Sequence, residues 1–226
     1  MRLFLGIILI LATAISCGTK QDGSNMRETL IAALKARKEA KKAEETPTAP
    51  PPALTRAAIQ HIEKPLLRIN AQTLGVKTLF AQVAENGSYR TYLNNIKMSV
   101  TYNNGIITAT RGFGLDLLSQ GTSIPTQDMF LETNAPKFYT RTQQQLAKIK
   151  QVAEIDYACT LERGEIETIT IVEIDFELAK FTENCKNDTR AFVNTYWVDD
   201  KTNQIWKSAQ SIGTQAGFFI TEVLVP

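Results

Sequence analysis

The chain has 226 residues, of which 43% are hydrophobic and 21% are charged, and its formal net charge is +2. This near-neutral balance excludes the strongly basic class of chains that bind nucleic acids electrostatically, so no nucleic-acid partner is expected. Because the chain has a single histidine, His61, histidine-based catalysis and histidine-rich metal sites are not expected either.

Residues 1–16 are typical of a lipoprotein signal peptide. Met1-Arg2 supplies a positive charge, and Leu3 to Ala12 form an apolar run that is too short to span a bilayer. Small residues then lead up to Cys17. We expect cleavage before Cys17 and lipidation of its thiol, with ordinary secretion and a free or lost Cys17 as the alternative.

Lipidation would anchor the mature chain to a membrane. Each buried CH₂ of an acyl chain such as palmitate contributes ~0.8 kcal/mol, so two or three chains on Cys17 would hold it essentially permanently. The next residue is Gly18, rather than the Asp that retains many lipoproteins of Gram-negative bacteria at the inner membrane. By analogy, we expect the outer membrane, with the chain facing the periplasm.

Residues 17–53 are predicted to form a lipidated tether, a helix and a proline-rich linker. Met26 to Glu45 is rich in Ala, Leu, Lys and Glu and is apolar on one side only in its first half. It is either a solvated spacer helix or a basic surface for anionic lipid or polysaccharide. Thr46 to Pro52 cannot continue a helix, so the folded domain is predicted over residues 54–226.

A short helix is predicted at Thr55 to His61, and the pattern after it is mostly β. The strongest signal is a hairpin at Asn104-Gly105, since both central positions of a type I′ turn need positive φ. The first arm alternates from Ile96 to Tyr102, and the second runs from Ile106 to Thr110. Two glycines around an aromatic follow, Gly112-Phe113-Gly114, and indicate a bulge or a sharp exit.

Further strand patterns continue to the end of the chain. Met129 to Ile149 is ambiguous between a polar helix and a long edge strand, and Glu165 to Leu178 is predicted as one long strand with an acidic face. Others occur at Leu66–Asn70, Lys77–Ala84, Tyr89–Leu93, Ala191–Val198, Gln204–Ile212 and Phe218–Val225. The predicted fold is therefore mainly β, an antiparallel curved sheet forming an open barrel or sandwich, with the tether helix and few short helices.

The acidic face of Glu165 to Leu178 is the best place to look for an enzyme. Carboxylates at i and i+2 on a strand lie roughly 6.5–7 Å apart, near the spacing of inverting glycosidases. A solvated face or a weak cation site explains the same alternation, and no nucleophile with an orienting base is evident. We therefore predict no enzyme activity, no catalytic residues, no metal and no cofactor.

Cys159 and Cys185 are the only cysteines besides Cys17. Two such thiols usually pair in an oxidising periplasm, so we predict a disulfide between them. It would close a loop of about 26 residues and contribute ~3.5 kcal/mol in the chain-entropy model. Two buried thiols are the alternative.

Aromatic and polar residues supply candidates for a glycan- or partner-binding site. The apolar face of a sugar ring stacks on an aromatic ring, while Asp, Asn, Arg and Gln bind its hydroxyl groups. The candidates are Arg111, Phe113, Asp116, Trp197, Asp199, Trp206 and Gln210. The alternatives are that the rings pack in the core and that Arg111 and Asp116 form a salt bridge fixing the glycine-rich exit.

Two of these stretches carry a family resemblance. TRGFGLDLLS at residues 110–119, together with YWVDDKTNQIWKSAQSIG at residues 196–213, resembles the YjbF/GfcB family of capsule and exopolysaccharide lipoproteins. The resemblance covers residues 65–226. It implies an outer-membrane lipoprotein that assists capsule or exopolysaccharide assembly or export as a non-catalytic binding or scaffold component.

The same resemblance implies partners: an outer-membrane barrel protein of the export system and the polysaccharide itself. Two other functions remain open. One is a periplasmic protein-interaction module without glycan contact, and the other is a polysaccharide-modifying enzyme that uses the acidic strand.

Overall fold

The structure, a computed structural model, describes residues 53–114, 116–131, 135–146, 152–213 and 216–226. The predicted signal peptide, Cys17, the helix Met26–Glu45 and the linker Thr46–Pro52 lie outside these residues. Across the described ranges, no helix combines the length and the apolar character that crossing a membrane requires.

The described chain contains one short α-helix and twelve strands. Helix α1 (Arg56–Ile59) begins at the N-cap Thr55, whose hydroxyl accepts a hydrogen bond from Ala58 N. The strands are β1 (Leu66–Ala71), β2 (Val76–Asn86), β3 (Tyr89–Leu93), β4 (Ser99–Asn103), β5 (Ile106–Arg111), β6 (Leu117–Thr122), β7 (Lys137–Leu146), β8 (Val152–Ile171), β9 (Ile174–Lys186), β10 (Ala191–Val198), β11 (Ile205–Ser211) and β12 (Phe218–Val225). Two 3₁₀ turns lie at Gln72–Leu74 and Thr126–Asp128.

All twelve strands belong to one antiparallel sheet. Its order is β5-β4-β3-β2-β1-β12-β11-β10-β9-β8-β7-β6, so β5 and β6 are the two edges. These edges are consecutive in the chain, and the sheet curls until they lie side by side as a nearly closed barrel. The prediction of a mainly β fold with a curved antiparallel sheet is confirmed.

Side chains bridge the seam, the line where β5 meets β6. Arg111 donates to Leu117 O at 2.9 Å and to Leu118 O at 3.1 Å. Gln120 Nε2 donates to Ile107 O at 2.6 Å, and Thr110 Oγ1 accepts from Leu117 N at 3.0 Å. Backbone groups at the sheet edges are thus satisfied by side chains instead of by a regular ladder.

The hairpin predicted at Asn104-Gly105 is present. Asn104 and Gly105 have φ values of 47° and 81°, and Asn103 pairs with Ile106 across the turn. The first arm is shorter than predicted and begins at Ser99 instead of Ile96. The Asn94 carboxamide oxygen accepts from Ile96 N and Met98 N, which holds this stretch in a turn.

The prediction of one long strand from Glu165 to Leu178 is wrong. The chain reverses at Val172-Glu173, where φ is 44° and 68°, and Ile171 pairs with Ile174. Positive φ at a β-branched residue is uncommon, and no Gly or Asn marks the turn. The uninterrupted alternation therefore conceals a hairpin between β8 and β9.

The ambiguous stretch from Met129 to Ile149 contains a strand, β7. It is not an edge strand, because it pairs with β6 on one side and β8 on the other. Three of its inward-facing side chains are polar or aromatic and buried, namely Tyr139, Arg141 and Gln143. Its polar composition reflects the interior of the barrel.

Two apolar clusters fill the interior. One centres on β1 to β4 and β12, with Phe80, Phe113 and Phe219 packed together, and the other lies along β7 to β10. A third cluster joins α1 to β12 and the β8–β9 turn. There Arg56 donates to the carbonyl oxygens of Ile171, Val172 and Leu224 at 2.6–3.1 Å.

Candidate functional site

The most polar part of the interior is centred on Glu183 of β9, which is fully buried. Its carboxylate accepts from both Nε and Nη2 of Arg141, at 2.8 and 2.6 Å. Three further donors complete the group: Tyr139 OH at 2.6 Å, Asn194 Nδ2 at 2.7 Å and Tyr196 OH at 2.7 Å. Every oxygen of the buried charge is therefore satisfied, as a buried ion pair requires.

The same contacts set the ionisation of this cluster. Burial by itself would raise the pKa of Glu183, but the Arg141 guanidinium and the hydrogen bonds from Tyr139, Asn194 and Tyr196 outweigh it, and the pKa lies below its usual value. Burial raises the pKa of Tyr139 and of Tyr196, and the Glu183 charge adds to this. The cluster is a buried ionic core in which each member is at most 7% exposed.

The disulfide between Cys159 and Cys185 is present beside this cluster. The two residues face each other on β8 and β9 with their Cα atoms 4.1 Å apart. Cys185 Sγ lies 3.3 Å from Glu183 Oε1, and the ligand atoms of the three residues lie within 4.8 Å of one another. The disulfide occupies both sulfurs and Glu183 already accepts five hydrogen bonds, so the group does not fit a metal site.

A cavity of about 360 Å³, the mouth cavity, opens at the end of the barrel where several hairpin turns meet. Its wall comes from β3, β4, the turns β2–β3, β4–β5 and β10–β11, the segment 126–130 and parts of β1, β11 and β12. Volumes of this order are typical of small-molecule sites. The mouth cavity is therefore the candidate functional site.

Aromatic side chains shape the mouth cavity. Trp206 is stacked on Phe176 with ring centroids 4.4 Å apart. Tyr92 packs edge-on against Tyr102, with ring centroids 5.7 Å apart. Phe130 belongs to the apolar cluster along β7 to β10. The rings are thus fixed by packing and offer preformed apolar surfaces.

Polar groups complete the lining. The Tyr102 and Thr221 hydroxyls are 2.8 Å apart, so one donates to the other and the remaining proton can serve a ligand. Asn104 Nδ2 donates to Thr126 Oγ1 at 3.1 Å and ties the β4–β5 turn to the 3₁₀ turn. Ser88, Arg90, Gln127, Asn203 and Lys207 also line the cavity.

The close approach of two turns explains Gly105 at this site. A Cβ on Gly105 would lie 2.6 Å from Ile205 Cδ1, and its φ is 81°. A glycine here lets the β4–β5 turn rest directly on the start of β11. The Asn-Gly pair that marks the hairpin thereby also forms part of the cavity wall.

Of the seven candidate residues from the sequence, Trp206 lines the mouth cavity. Arg111, Phe113 and Asp116 lie at the seam instead. Phe113 is 7% exposed and packs on Phe80 and Phe219. The Asp116 carboxylate accepts from Gly112 N at 3.0 Å and Phe113 N at 3.2 Å.

Arg111 and Asp116 do fix the glycine-rich exit, but not through the salt bridge considered above. The guanidinium of Arg111 binds the backbone carbonyls of β6, whereas Asp116 binds backbone amides and the Thr110 hydroxyl at 3.1 Å. Each side chain satisfies the backbone groups that a continuous strand pairing would otherwise use. The TRGFGLDLLS motif thus joins the two edges of the sheet.

The other three candidates are not among the lining residues of the mouth cavity. Trp197 lies on the outer face and donates to Glu167 at 2.8 Å, while its neighbours Tyr196 and Val198 are buried in the interior. Asp199 O accepts from Asn203 N at 2.8 Å and shapes the β10–β11 turn. Gln210 is 1% exposed and binds Gly105 O and Ile107 N.

The acidic side chains around the β8–β9 hairpin are engaged by neighbours. Glu167 binds Lys180 at 2.9 Å in addition to Trp197, and Glu173 accepts from Arg56 N at 2.9 Å. Asp175 accepts from Thr170 Oγ1 at 2.6 Å. None of these three carboxylates lines the mouth cavity.

Sequence reasoning missed most of the cavity wall, including Tyr92, Tyr102, Gln127 and Lys207. The available signal was topological. Turns that follow alternate strands of an up-and-down sheet lie at the same end, so the turns between the predicted strands at residues 85–88, 104–105 and 199–203 could have been grouped.

Comparison with known proteins places the chain in a family. A family model described as group 4 capsule polysaccharide lipoprotein gfcB, YjbF matches residues 27–224. The chain is also similar to the crystal structure of the hypothetical lipoprotein YmcC from Escherichia coli (K12), with a TM-score of 0.61 and 16% identity, over 76% of this chain and 89% of that one. No curated protein matches. The resemblance predicted from the sequence is confirmed, and the chain belongs to the YjbF family of group 4 capsule polysaccharide lipoproteins.

Proposed function

We propose that the mature chain is an outer-membrane lipoprotein whose mouth cavity binds a segment of capsule or exopolysaccharide during assembly or export, without cleaving it. Its family supports a capsule- or exopolysaccharide-related role for a membrane-anchored lipoprotein. The observation that carries the proposal is the lining of the mouth cavity: preformed aromatic faces beside hydroxyl, amide and cationic groups. Sugars present this same combination, an apolar ring face with a polar rim.

The lining also favours binding over catalysis. Glycoside hydrolysis requires a pair of carboxyl groups on either side of the scissile bond. The described residues that line the mouth cavity include neither Asp nor Glu, and no His or Cys. A bound glycan would therefore meet donors and acceptors there, but no group positioned to protonate a leaving oxygen or to attack the anomeric carbon.

The two tryptophans of the chain allow a matched test. Trp206 lines the mouth cavity and Trp197 does not. When the full mature chain in detergent is titrated calorimetrically with fragments of the polysaccharide that the producing cell exports, we expect saturable binding. Truncation of a central aromatic contact costs more than about 1 kcal/mol, so Trp206→Ala should weaken binding by about tenfold, whereas Trp197→Ala should leave it unchanged.

A second variant guards against a folding defect of Trp206→Ala, since Trp206 also stacks on Phe176. The Gln127 side chain lines the cavity and makes no hydrogen bond within the described part of the chain, so Gln127→Ala should weaken glycan binding without lowering the melting temperature. Absence of binding at millimolar glycan, or equal affinities for the two tryptophan variants, would refute the proposal and favour a module that contacts proteins only.

The anchor and the location are part of the proposal. Cleavage before Cys17 and acylation of its thiol would hold the barrel at the periplasmic face of the outer membrane, with residues 18–53 as the tether. Mass spectrometry of the native protein should find an acylated N-terminal Cys17. An intact, unacylated N-terminus would contradict the anchor and the location together.

The proposed protein partner is an outer-membrane barrel protein of the export system, which the family context suggests. Phe138 offers a place to test it, since its side chain is 74% exposed on the outer face of β7. A photo-crosslinking residue at position 138 in intact envelopes should capture such a barrel. Recovery of the chain without any crosslinked outer-membrane protein would count against this partner.

A further inference from the structure

The side chains that line the mouth cavity lie at two depths. Those that are exposed lie in turns or beside them, and they form the rim: Ser88, Arg90, Asn104, Gln127, Thr202 and Asn203. Tyr102, Ser208 and Thr221 lie within strands, are at most 5% exposed and form the floor of the cavity. Because Tyr102 precedes Asn104 by two residues along the chain, the floor lies roughly 6.5–7 Å below the rim at β4. That depth suits a single sugar ring.

Hydrogen bonds across the interior close the floor. The Tyr102 and Thr221 hydroxyls are 2.8 Å apart, and in the sheet β4 and β12 are separated by β3, β2 and β1. Their contact therefore crosses the barrel instead of following its wall. Gln210 of β11 makes a second crossing, since its Nε2 donates to Gly105 O and to Ser208 Oγ, each at 2.9 Å.

The barrel interior beneath this floor is filled. Phe219 lies two residues before Thr221 on β12, and both side chains are buried on the same face of the strand. The Phe219 ring packs against Phe113, with ring centroids 4.8 Å apart. The mouth cavity is therefore blind, and a ligand that enters from the rim stops at the floor instead of threading through the barrel.

The turns of the rim enclose the opening. In the sheet order, the turns β2–β3 and β4–β5 lie on one side of the β1–β12 pair, and the turn β10–β11 lies on the other. The 3₁₀ turn Thr126–Asp128 is tied to the β4–β5 turn, because Asn104 Nδ2 donates to Thr126 Oγ1 at 3.1 Å. A polymer can insert an end or a branch between these turns, whereas the middle of a long chain would have to fold back on itself to reach the floor.

The floor offers hydroxyl groups and carries no charge. Ser208 Oγ accepts from Gln210, so its own proton is left for a ligand, and the Tyr102–Thr221 pair leaves one more. The exposed Arg90 belongs to the rim, where its Nε lies 3.6 Å from a Glu85 carboxylate oxygen. A terminal sugar residue suits this floor, since it has one glycosidic linkage fewer than an internal residue and therefore presents more free hydroxyl groups.

We propose that the mouth cavity recognises the end of a glycan chain. A terminal sugar residue, at the end of the main chain or of a branch, enters between the rim turns and binds the floor hydroxyls through its own hydroxyl groups. The inference rests on the proposed glycan-binding function and adds which part of the polymer is bound. Each such end then takes up one protein molecule, whatever the length of the chain behind it.

The test is the stoichiometry of binding. Fragments of the exported polysaccharide that differ in length and in number of branch ends are separated, and their terminal residues are counted by methylation analysis. Each fraction is titrated calorimetrically into the full mature chain in detergent. We expect the number of protein molecules bound per fragment to follow the number of its ends, with the same affinity per end for short and long fragments.

Variants of the floor locate the effect. Thr221→Val removes a floor hydroxyl while keeping the size of the side chain, and the affinity per end should fall by up to about tenfold, the usual contribution of one hydrogen bond. Thr101→Val is the matched control, because the Thr101 hydroxyl lies 3.0 Å from that of Thr91 and outside the cavity, and it should leave the affinity unchanged. Melting temperatures are measured for both variants. Tyr102→Phe carries the same prediction if Thr221→Val does not fold.

The failures are distinguishable. A number of bound protein molecules that follows the repeat units instead of the ends would overturn end recognition while glycan binding stands. So would folded Thr221→Val and Tyr102→Phe variants that bind as tightly as the natural chain, or an equal loss of affinity in Thr101→Val. No binding of any fragment would overturn the glycan-binding function and the inference with it.

Discussion

At the residue scale, the buried carboxylate of Glu183 predicts a large effect on stability. Its five hydrogen bonds include two from Arg141, so Glu183→Gln would leave a buried guanidinium without a countercharge. Removing one partner of a buried pair typically costs roughly 3–5 kcal/mol, and we expect a loss of that size in the free energy of unfolding, measured with denaturant.

Glu167→Gln is the matched control for this substitution. It breaks a pair with Lys180 in which both side chains are 38% exposed, and it should cost less than about 1 kcal/mol. Equal losses in the two variants would show that the ionic core contributes no more than a surface pair.

The Glu183 carboxyl also predicts a pH dependence. Its pKa in the folded state lies below the usual 4.5, so as the pH falls below that value the unfolded chain takes up the proton first. The stability that Glu183 contributes is present above pH 4.5 and is lost as the pH falls towards the lower pKa of the folded state. The difference between the natural chain and Glu183→Gln should narrow over that range.

At the element scale, the glycine-rich exit joins the two edges of the sheet. Gly112 has a φ of 88°, and a Cβ there would lie 3.3 Å from Lys97 O. Gly112→Ala should therefore lower the free energy of unfolding by ~1–3 kcal/mol. Gly121→Ala on β6 is the control, since nothing lies within 4 Å of its Cβ position; a comparable loss there would contradict the account of the exit.

Local chemistry explains which elements the sequence could predict. Asn104-Gly105 marks its hairpin because a type I′ turn needs positive φ at two successive residues, and Asn and Gly adopt positive φ at low cost. Val172-Glu173 makes a turn of the same kind without such residues. The surrounding contacts hold it there, since Arg56 binds the carbonyls of Ile171 and Val172, and contacts between residues so distant in the chain leave no local pattern.

The candidate site was harder to predict for a related reason. Phe113 and Gln210 belong to the motifs that identify the family, yet their side chains are buried and hold the barrel together. The cavity wall draws single residues from several separate turns, and each of them is unremarkable in its own segment. Trp206 was among the candidates because an aromatic ring can stack on the apolar face of a sugar.

At the scale of the whole molecule, the barrel separates stability from binding. The ionic core, the disulfide Cys159–Cys185 and the seam lie in the interior and along the edges, while the mouth cavity lies among turns at one end. Turns at the end of a rigid barrel can vary without disturbing its core. We therefore expect substitutions of Arg90 or Gln127 to change ligand binding with little effect on folding.

The central claim, that the mouth cavity holds the glycan, is tested most directly by a crystal structure of the chain with a fragment of the exported polysaccharide. The account predicts a sugar ring against Trp206, within hydrogen-bonding distance of Gln127. A fragment bound elsewhere on the barrel, or a cavity empty at saturating fragment, would contradict it.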